Sequence, residues 1–597
     1  APARPLTMPA RYTLRTQFGL HQRPEDILPG LLDLCRHGRI DEVMLFLFAE
    51  EYNNGHETPA ELEAWLAWTR PVQRALRDAG LRLSVNPWHS LLHVDRGRTL
   101  KPDQPWQTMQ DQHGRACTAV VCPLDPAWRA YYAQSLARYA AEDFEVIWID
   151  DDIRYHNHGD LDWGGCFCPL HLAAFNRHTG LSISREELVK ACIAPGPPHP
   201  WRAVWLDLWE AQHLELMASW RDIVESRGKR LGLMSSLPEQ HGAEGRRWAD
   251  WWKALSSGPV WHRPHFWPYA ETTALALPLA LNTLDQNRSI QPPGVESGPE
   301  IECIPYGQWN KPFRQIAAQM VAAQAFGSTQ LQLSLYDHMG NDPADEPARA
   351  DFLHDWKPTL NWLADLFHPS LRTHGVSLPW SEDMGRNLHT KKGGAWSELV
   401  CPGRGWAGWL GAAGVATSVH AEGAVVALAG PGVRSFSDAA LKEWLARGVL
   451  LDGEAARILD ERGFSAYTGL SDIRTITQQD VVYATECCTH PLFTRRPGAQ
   501  LSVNSEFFTA FGQHLIQGTL APSTLEITEL RGPRQERCGH GALAYANTLG
   551  GRVAIMPWNA DTLPCMNTLR ADQLARILAW LDPSLRHGRA EGGAWLV

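Results

Sequence analysis

A run of three consecutive carboxylates follows an apolar segment near the middle of the first half of the chain. The segment Val146–Ile149 has the composition of a buried strand. Asp150, Asp151 and Asp152 follow it directly. Charges at the end of a buried strand are costly unless they pair, coordinate or catalyse. We therefore interpret the triplet as part of a chemical site; the alternative is a solvated loop.

A group of sulfur and nitrogen ligands lies shortly downstream. It reads Cys166-x-Cys168-x-x-His171. Thiolates and imidazoles are the side chains that zinc prefers. A Cys-x-Cys pair is too tight for an easy disulfide between its two members, which favours a metal over a bridge. The alternative is a set of ordinary buried core residues.

The first 370 residues alternate short apolar runs with amphipathic stretches. A clear helix begins where Asp125 caps Pro126, and its buried face carries residues at helical spacing. Eight strands with intervening helices predict a (β/α)8 barrel over residues 1–370. The alternative is an open doubly wound sheet, whose nucleotide-binding form is disfavoured because no G-x-G-x-x-G follows an early strand. The candidate strands are Tyr12–Phe18, Glu42–Phe48, Arg82–Asn86, Val146–Asp150, Arg230–Ser235, Val260–His265, Pro299–Ile304 and Gln330–Tyr336.

In such a barrel the chemistry lies at the carboxyl ends of the strands. Seven of the eight candidate strands end in polar and aromatic residues, which is more than solvation alone explains. These residues predict a substrate pocket. Its candidate members are Glu50, Asn86, Trp88, His89, Asp151, Arg154, His265, Glu300, Tyr306 and Trp309.

Composition narrows the class of protein. Lys and Arg number 55 against 66 Asp and Glu, a net charge of −11 without any basic run, which argues against a nucleic-acid partner. No apolar stretch is long enough to span a bilayer, and no signal peptide is visible, so we expect a cytoplasmic protein. The 12 scattered cysteines argue against a disulfide scaffold. The 27 tryptophans suit a carbohydrate cleft, because aromatic faces stack on sugar rings.

The pattern changes near residue 370. The segment 371–480 contains a candidate strand His374–Trp380 and a small parallel α/β unit of Ala424–Leu428, Ala439–Arg447 and Val449–Leu451. The segment 481–597 has glycine-rich, alternating stretches that predict a β-rich domain. We expect the α/β domain to be structural, since the turn near Gly430 has no nucleophilic cysteine.

Carboxylates at the carboxyl ends of two different barrel strands suggest glycoside hydrolysis. One carboxyl group protonates the leaving oxygen and the other attacks the sugar or activates water. Asp152, at the fourth strand, is the predicted general acid/base. Glu302, on the seventh, is the predicted nucleophile. Glu300 is the alternative, because it shares the same face of a strand along which side chains alternate. Asp150 and Asp151 are the alternatives to Asp152.

The order of these motifs resembles glycoside hydrolase family 42, the metal-containing β-galactosidases. That family has a Cys-Pro and a helix, a strand ending in Asp-Asn-Glu, and C-x-C-x-x-C. Here Cys122-Pro123 precedes the helix, Asp150-Asp151-Asp152 ends the strand, and His171 replaces the last cysteine. The segments after residue 370 resemble that family's amidotransferase-like trimerisation domain and its small β domain.

The resemblance implies a retaining, exo-acting glycoside hydrolase that acts on oligosaccharides or glycosides and assembles as a homotrimer. It also implies one structural Zn²⁺, bound tetrahedrally by Cys122, Cys166, Cys168 and His171; the alternative is buried free thiols.

Departures from the family pattern concern the sugar. The expected Asn-Glu is Asp151-Asp152, and the arginine expected before the Cys-Pro is Thr118, with Arg154 or Arg263 as substitutes. We therefore expect a sugar specificity other than galactose. The alternatives are an inverting or modified-sugar barrel hydrolase, a carbohydrate-binding barrel without activity, and a metal-dependent amidohydrolase. The last would need His-x-His on the first strand, where Gln17 stands instead.

Overall fold

The computed structural model describes residues 9–273, 275–367, 373–420, 423–477, 479–503, 515–561 and 566–585. These residues form two compact units. The first takes the described residues up to Ala276, those from 290 to 367, and His389–Val400, and the second takes the others. Within the described ranges, no helix combines the length and the apolar character that a membrane span requires.

The first unit is built on a parallel barrel whose strands lie close to their predicted positions. Seven of them neighbour one another in chain order, and the eighth pairs with the first. The strands are Tyr12–Thr16, Glu42–Leu47, Arg82–Pro87, Val146–Ile149, Arg230–Met234, Trp261–Arg263, a seventh in two pieces, Glu296–Ser297 and Glu300–Glu302, and Leu331–Ser334. The predicted (β/α)8 fold is confirmed.

The seventh strand closes the barrel. Its first piece pairs with the sixth strand and its second piece with the eighth. Pro299 separates the two pieces, and a proline has no N–H to donate to a neighbouring strand. Hydrogen bonds on both sides bridge the break, from Glu300 N–H to the Pro264 carbonyl (3.1 Å) and from Gln332 N–H to the Pro299 carbonyl (3.3 Å). The rival open sheet is therefore excluded.

Helices and a hairpin connect the strands. The predicted helix begins at Pro126, because the Asp125 carboxylate accepts the Trp128 N–H at 2.9 Å. The hairpin pairs Thr108–Gln110 with Ala116–Val121. The α-helices of this unit are Pro24–His37, Pro59–Asp78, Pro126–Tyr139, Pro169–Thr179, Arg185–Ile193, Pro200–Glu225, Pro238–Ala243, Trp248–Leu255, Phe313–Ala325 and Pro347–Leu366.

Large apolar side chains fill part of the barrel interior. Met44, Val146, Trp148 and Met234 form one buried cluster with Trp261. Glycine on the fifth strand makes room for the indole of the fourth, because a Cβ at position 232 would lie 2.4 Å from that ring. The charged side chains at the carboxyl ends of the strands therefore lie over a packed apolar core.

The second unit contains a seven-stranded sheet that is parallel in its first five strands. The strands, in spatial order, are Thr417–Ser418, Val376–Ser377, Val425–Leu428, Gly448–Leu451, Arg552–Ile555, Leu543–Ala546 and Leu525–Glu526. A four-stranded antiparallel sheet (Gln500–Ser502, Thr485–Cys488, Thr528–Arg531, Arg537–His540) and the pair Leu470–Ile476 with Leu515–Leu520 accompany it. The helices are Ala276–Ser289, of which 277–289 belong here, Met384–Asn387, Gly405–Ala412, Asp438–Leu445, Gly453–Glu461, Ser465–Thr468 and Thr568–Leu581.

The predicted limit at residue 480 does not separate two sheets. Gly448–Leu451 pairs in parallel with Arg552–Ile555, so strands from both predicted domains share one sheet. The predicted parallel α/β unit is present as Val425–Leu428, Asp438–Leu445 and Gly448–Leu451. The division of the chain into three domains stays a prediction.

Candidate active site

Glu302 lies at the carboxyl end of the seventh strand, buried between two arginines. Arg15 of the first strand donates a hydrogen bond to its Oε1. Arg263 of the sixth strand donates to the same oxygen at 2.6 Å. Lys311 also donates to the Glu302 carbonyl, which fixes the backbone there. These three contacts hold the predicted nucleophile in one position.

Glu300, one strand repeat earlier, faces the same side and shares an arginine with Glu302. Arg263 lies 2.7 Å from Glu300 Oε1. His265 Nδ1 lies 3.0 Å from Oε2, and the Tyr269 hydroxyl donates to Oε2 at 2.9 Å. Although burial opposes it, the charges of Arg263 and His265 hold the pKa of Glu300 well below its usual range. Glu300 is therefore anionic.

The neighbouring charge of Glu300 affects Glu302. Burial and repulsion from the Glu300 carboxylate raise the pKa of Glu302 to about 7, against the attraction of Arg15 and Arg263. Glu300 and Glu302 share Arg263, so one arginine cannot neutralise both negative charges. Glu300, which also faces His265, ionises first, and its charge then opposes the ionisation of Glu302. Glu302 therefore gains its negative charge near neutral pH.

Asp150 joins the same cluster from the fourth strand. Its Oδ2 accepts a hydrogen bond from Asn86 Nδ2 at 2.9 Å and lies 3.5 Å from Arg15 Nη2. Asn86 Oδ1 in turn accepts from Arg15 Nε at 3.0 Å. One guanidinium group thus contacts both Asp150 and Glu302. The structure thus brings side chains of the first, third, fourth and seventh strands together at one site.

Asp151 is the most accessible member of the triplet, with a side chain 23% exposed. Arg154 donates to its Oδ2, and His93 Nδ1 lies 3.6 Å from its Oδ1. Burial alone would raise the pKa of Asp151, but Arg154 and His93 outweigh it and hold that pKa well below its usual range. Asp151 therefore carries its negative charge beside Arg154 and His93.

Asp152 is buried and its carboxylate is occupied by a loop. Oδ2 accepts the N–H groups of Ser90 (2.6 Å) and Leu92 (2.7 Å), and Oδ1 accepts the Ser90 hydroxyl at 2.9 Å. Burial and the charge of Asp150 raise the pKa of Asp152. A catalytic acid needs such a raised pKa. The hydrogen bonds of Asp152, however, hold the loop after the third strand in place.

Trp88 lies against His93 of this cluster, whereas Tyr306 contacts two residues outside it. The Tyr306 hydroxyl donates to Glu51 Oε1 at 3.0 Å and lies 3.0 Å from His338 Nδ1. The Trp88 ring stacks on the imidazole of His93, with centroids 4.8 Å apart.

Three other predicted residues are not brought into the cluster. Glu50 pairs with Arg96 on an exposed loop. His89 is buried and pairs with Glu57 at 3.2 Å. Trp309 is fully exposed.

Arg15, His93 and Tyr269 were not among the predicted site residues. Arg15 stands on the inward face of the first strand, beside Thr13 and Gln17. An arginine in the middle of a short apolar strand was a usable signal, because a buried guanidinium requires carboxylate partners. Tyr269 and His93 lie in loops, where spacing carries no such signal.

The predicted zinc ligands form a separate, fully buried cluster. One ligand atom of each of Cys122, Cys166, Cys168 and His171 lies within 4.8 Å of the others. Cys122 Sγ and Cys168 Sγ are 3.5 Å apart, and they lie 3.3 and 3.4 Å from His171 Nδ1.

These spacings fit a tetrahedral zinc site. Zinc–ligand bonds of about 2.3 Å to sulfur and about 2.0 Å to nitrogen place the ligand atoms about 3.5 to 3.8 Å apart. The Tyr155 hydroxyl donates to Gln212 at 3.3 Å and lies 3.2 Å from His171 Nε2. His171 Nε2 therefore carries the hydrogen, which leaves the Nδ1 lone pair directed at the thiols.

Solved β-galactosidases resemble the chain along nearly its whole length. The enzyme from Rahnella sp. R3 superimposes with a TM-score of 0.61 at 12% identity, covering 98% of this chain and 90% of that one. Gan42B, a GH42 β-galactosidase from G. stearothermophilus, gives 0.58 at 11% identity, with 96% and 88% covered. The β-galactosidase from the psychrophilic Marinomonas ef1 gives 0.58 at 12% identity, with 96% and 91% covered.

No protein-family model matches the chain, and no curated protein matches it. Identities this low show a shared fold and leave the reaction to be argued from the residues. The family resemblance expected from the motifs is confirmed at that level: the chain has the fold of the GH42 β-galactosidases.

Proposed function

We propose that this chain is a retaining, exo-acting glycoside hydrolase with Glu302 as its nucleophile. The observation that carries the proposal is the position of Glu302, buried at the carboxyl end of a barrel strand and held by Arg15 and Arg263. Glycosidases need two carboxylates that flank the scissile bond. The aspartate triplet supplies the second, across the barrel, and the fold is one that β-galactosidases share.

Retention is favoured by the closeness of the ends of the fourth and seventh strands, where the two proposed catalytic carboxylates stand. Retaining enzymes place their two carboxyl groups about 5 Å apart, whereas inverting enzymes leave room for a water. Arg15 contacts Glu302 and Asp150 at once, which keeps the ends of the seventh and fourth strands within the span of one guanidinium. The Glu302 carboxylate then attacks the anomeric carbon, and water later hydrolyses the glycosyl–enzyme ester.

Asp152 is the proposed acid/base, and Asp151 is its competitor. The raised pKa of Asp152 suits a group that must carry a proton to the leaving oxygen. Its carboxylate would have to release Ser90 to reach a substrate. Asp151 is already accessible, but its pKa is depressed. The two aspartates therefore differ in a way that leaving-group experiments can separate.

The substrate we propose is a glycoside or oligosaccharide whose sugar differs from galactose. The aspartate at position 151, where the related family has asparagine, alters the group that meets the sugar. The Cys122, Cys166, Cys168 and His171 cluster is proposed to hold one Zn²⁺ as a structural ion.

Azide rescue tests the nucleophile. Glu302→Gly should lose nearly all turnover of an aryl glycoside and regain part of it with azide, giving a glycosyl azide of inverted configuration. Glu300→Gly is the matched control, because it removes the neighbouring carboxylate on the same face. Near-normal turnover by Glu302→Gly, or an azide adduct from Glu300→Gly alone, would refute the assignment.

Leaving-group dependence tests the acid. Asp152→Ala should reduce kcat/KM about 10²- to 10⁴-fold on substrates with poor leaving groups and far less on activated aryl glycosides. Asp151→Ala should lower both classes to a similar extent. The opposite ranking would transfer the acid role to Asp151.

Retention itself is tested by NMR of the first-formed product, whose anomeric configuration should be that of the substrate.

A further inference from the structure

A serine, two histidines and a glutamate form a connected group after the fourth and fifth barrel strands. Ser236 follows the fifth strand and is half-buried. Its hydroxyl lies 3.2 Å from His156 Nε2. His156 Nδ1 lies 2.6 Å from Glu244 Oε1. These separations match those of a nucleophile, a general base and the carboxylate that orients the base.

The hydrogen positions follow from the chemistry of Glu244. Burial works against ionisation, but His156 and His241 outweigh it and hold the pKa of Glu244 well below its usual range. An ionised carboxylate only accepts, so Nδ1 of both histidines must carry a hydrogen. His241 Nδ1 accordingly contacts Oε2 at 3.2 Å.

The opposite ring nitrogens are therefore acceptors, and both contact the serine. His241 Nε2 accepts the Ser236 N–H at 3.0 Å, and His156 Nε2 accepts its hydroxyl. Burial lowers the pKa of His156, which keeps the imidazole neutral and able to take a proton. His156, His241 and Glu244 also lie within metal-binding reach of one another, but their ring nitrogens are already engaged by Ser236 and Glu244.

The adjacent serine provides an internal contrast. Ser235 Oγ lies 2.8 Å from His262 Nε2, and Gln291 Nε2 donates to His262 Nδ1 at 2.7 Å. An amide donor at Nδ1 places the ring hydrogen on Nε2, so His262 donates to Ser235 and cannot remove its proton. Ser235 is also buried, whereas Ser236 is partly accessible. The two neighbours thus differ in the one feature that makes a serine nucleophilic.

We propose that Ser236, His156 and Glu244 form a second catalytic site that hydrolyses small carboxylic esters. Ser236 Oγ attacks the ester carbonyl carbon while its proton passes to His156 Nε2. The bond to the alcohol oxygen breaks, and His156 returns the proton to that oxygen. Water then attacks the acyl–enzyme, His156 takes a proton from it, and the carboxylic acid leaves as Ser236 Oγ is reprotonated.

The alcohol part of the proposed ester is a sugar hydroxyl, so that the substrate is an acylated sugar. Arg154 Nε donates to the His156 carbonyl at 3.3 Å, and the same guanidinium pairs with Asp151 of the carboxylate cluster. An acyl group on a bound sugar would thus meet Ser236 on the rim that holds the glycosidic site. This choice of alcohol rests on the proposed function, whereas the ester chemistry of Ser236 does not.

The test is active-site labelling of the full chain with a fluorophosphonate, followed by peptide mapping. We expect one label, on Ser236, and its loss in Ser236→Ala and in Glu244→Gln, with Ser235→Ala still labelled. Hydrolysis of p-nitrophenyl acetate should fall about 100-fold or more in Ser236→Ala, while aryl glycoside turnover and thermal midpoint stay near wild type. Acetate release from an O-acetylated glycoside should fall in parallel.

Several outcomes would overturn the proposal. They are an unlabelled wild-type chain, a label on Ser235, and ester hydrolysis that persists in Ser236→Ala. Labelling of Ser236 with p-nitrophenyl acetate hydrolysed but O-acetylated glycosides untouched would refute the sugar ester alone. A failure of Glu302→Gly to affect glycosides bears on the proposed function and leaves the labelling result intact.

Discussion

Burial and Glu300 raise the pKa of Glu302, whereas Arg15 and Arg263 lower it. The ionisation of Glu302 should therefore control how activity falls on the acidic side of the pH profile. A nucleophilic carboxylate works only as the anion. Since its pKa is raised to about 7, lowering the pH through 7 adds a proton and removes activity. We expect kcat/KM for an aryl glycoside to rise with pH until about 7.

The neighbouring carboxylate provides the check on that cause. Glu300→Gln removes a negative charge beside Glu302, so the acidic limb should move to lower pH. Glu296→Gln is the matched control, because it lies at the other end of the same strand and pairs with Arg11. An acidic limb that stays in place in Glu300→Gln, or moves upward, would contradict the electrostatic explanation.

At the scale of elements, the cysteine cluster joins segments that are distant in the chain. Cys122 follows the hairpin strand Ala116–Val121, Cys166 and Cys168 precede the helix Pro169–Thr179, and His171 lies in its first turn. A four-ligand metal ion would fix the long loop after the fourth strand, the loop that also carries Arg154 and His156. With zinc bound, the cluster would thus help to position both proposed sites.

We predict one zinc ion per chain, measurable by elemental analysis. Cys166→Ala should lose that zinc and lower the free energy of unfolding by at least about 2 kcal/mol, because the remaining three ligands no longer close the site. Cys192→Ala, a buried cysteine outside the cluster, should keep the zinc and cost less than about 2 kcal/mol. Protein purified without chelators that contains no zinc, with Cys166→Ala as stable as wild type, would exclude the metal.

For the whole molecule, we predict assembly into a homotrimer. We infer this from the family resemblance of the motifs, which implies a trimerisation domain after residue 370, where parallel strands form the predicted α/β unit. Light scattering at micromolar concentration should give three times the chain mass of 66.7 kDa. A mass of 66.7 kDa at that concentration would refute the assembly, and a dimer mass would refute the trimer specifically.

Several features of this protein were determined by the sequence alone. The eight barrel strands, the helix that starts at Pro126 and the zinc-ligand spacing all come from patterns within short segments. Apolar runs, caps and ligand spacing act over a few residues, so their outcome does not depend on the rest of the chain. The meeting of Asn86, Asp150 and Glu302 also followed, because a parallel barrel gathers the carboxyl ends of its strands.

Tertiary structure alone decided how the charged side chains are paired. Arg15 reaches Glu302 across 287 positions of sequence, and Asp152 is held by Ser90 across 62. Ser236 meets His156 across 80. Such contacts depend on how the barrel closes and where each loop turns, and neither periodicity nor spacing within a segment encodes them. This is why Asp152, predicted as the acid from its position after a strand, is found in the structure holding a loop through Ser90.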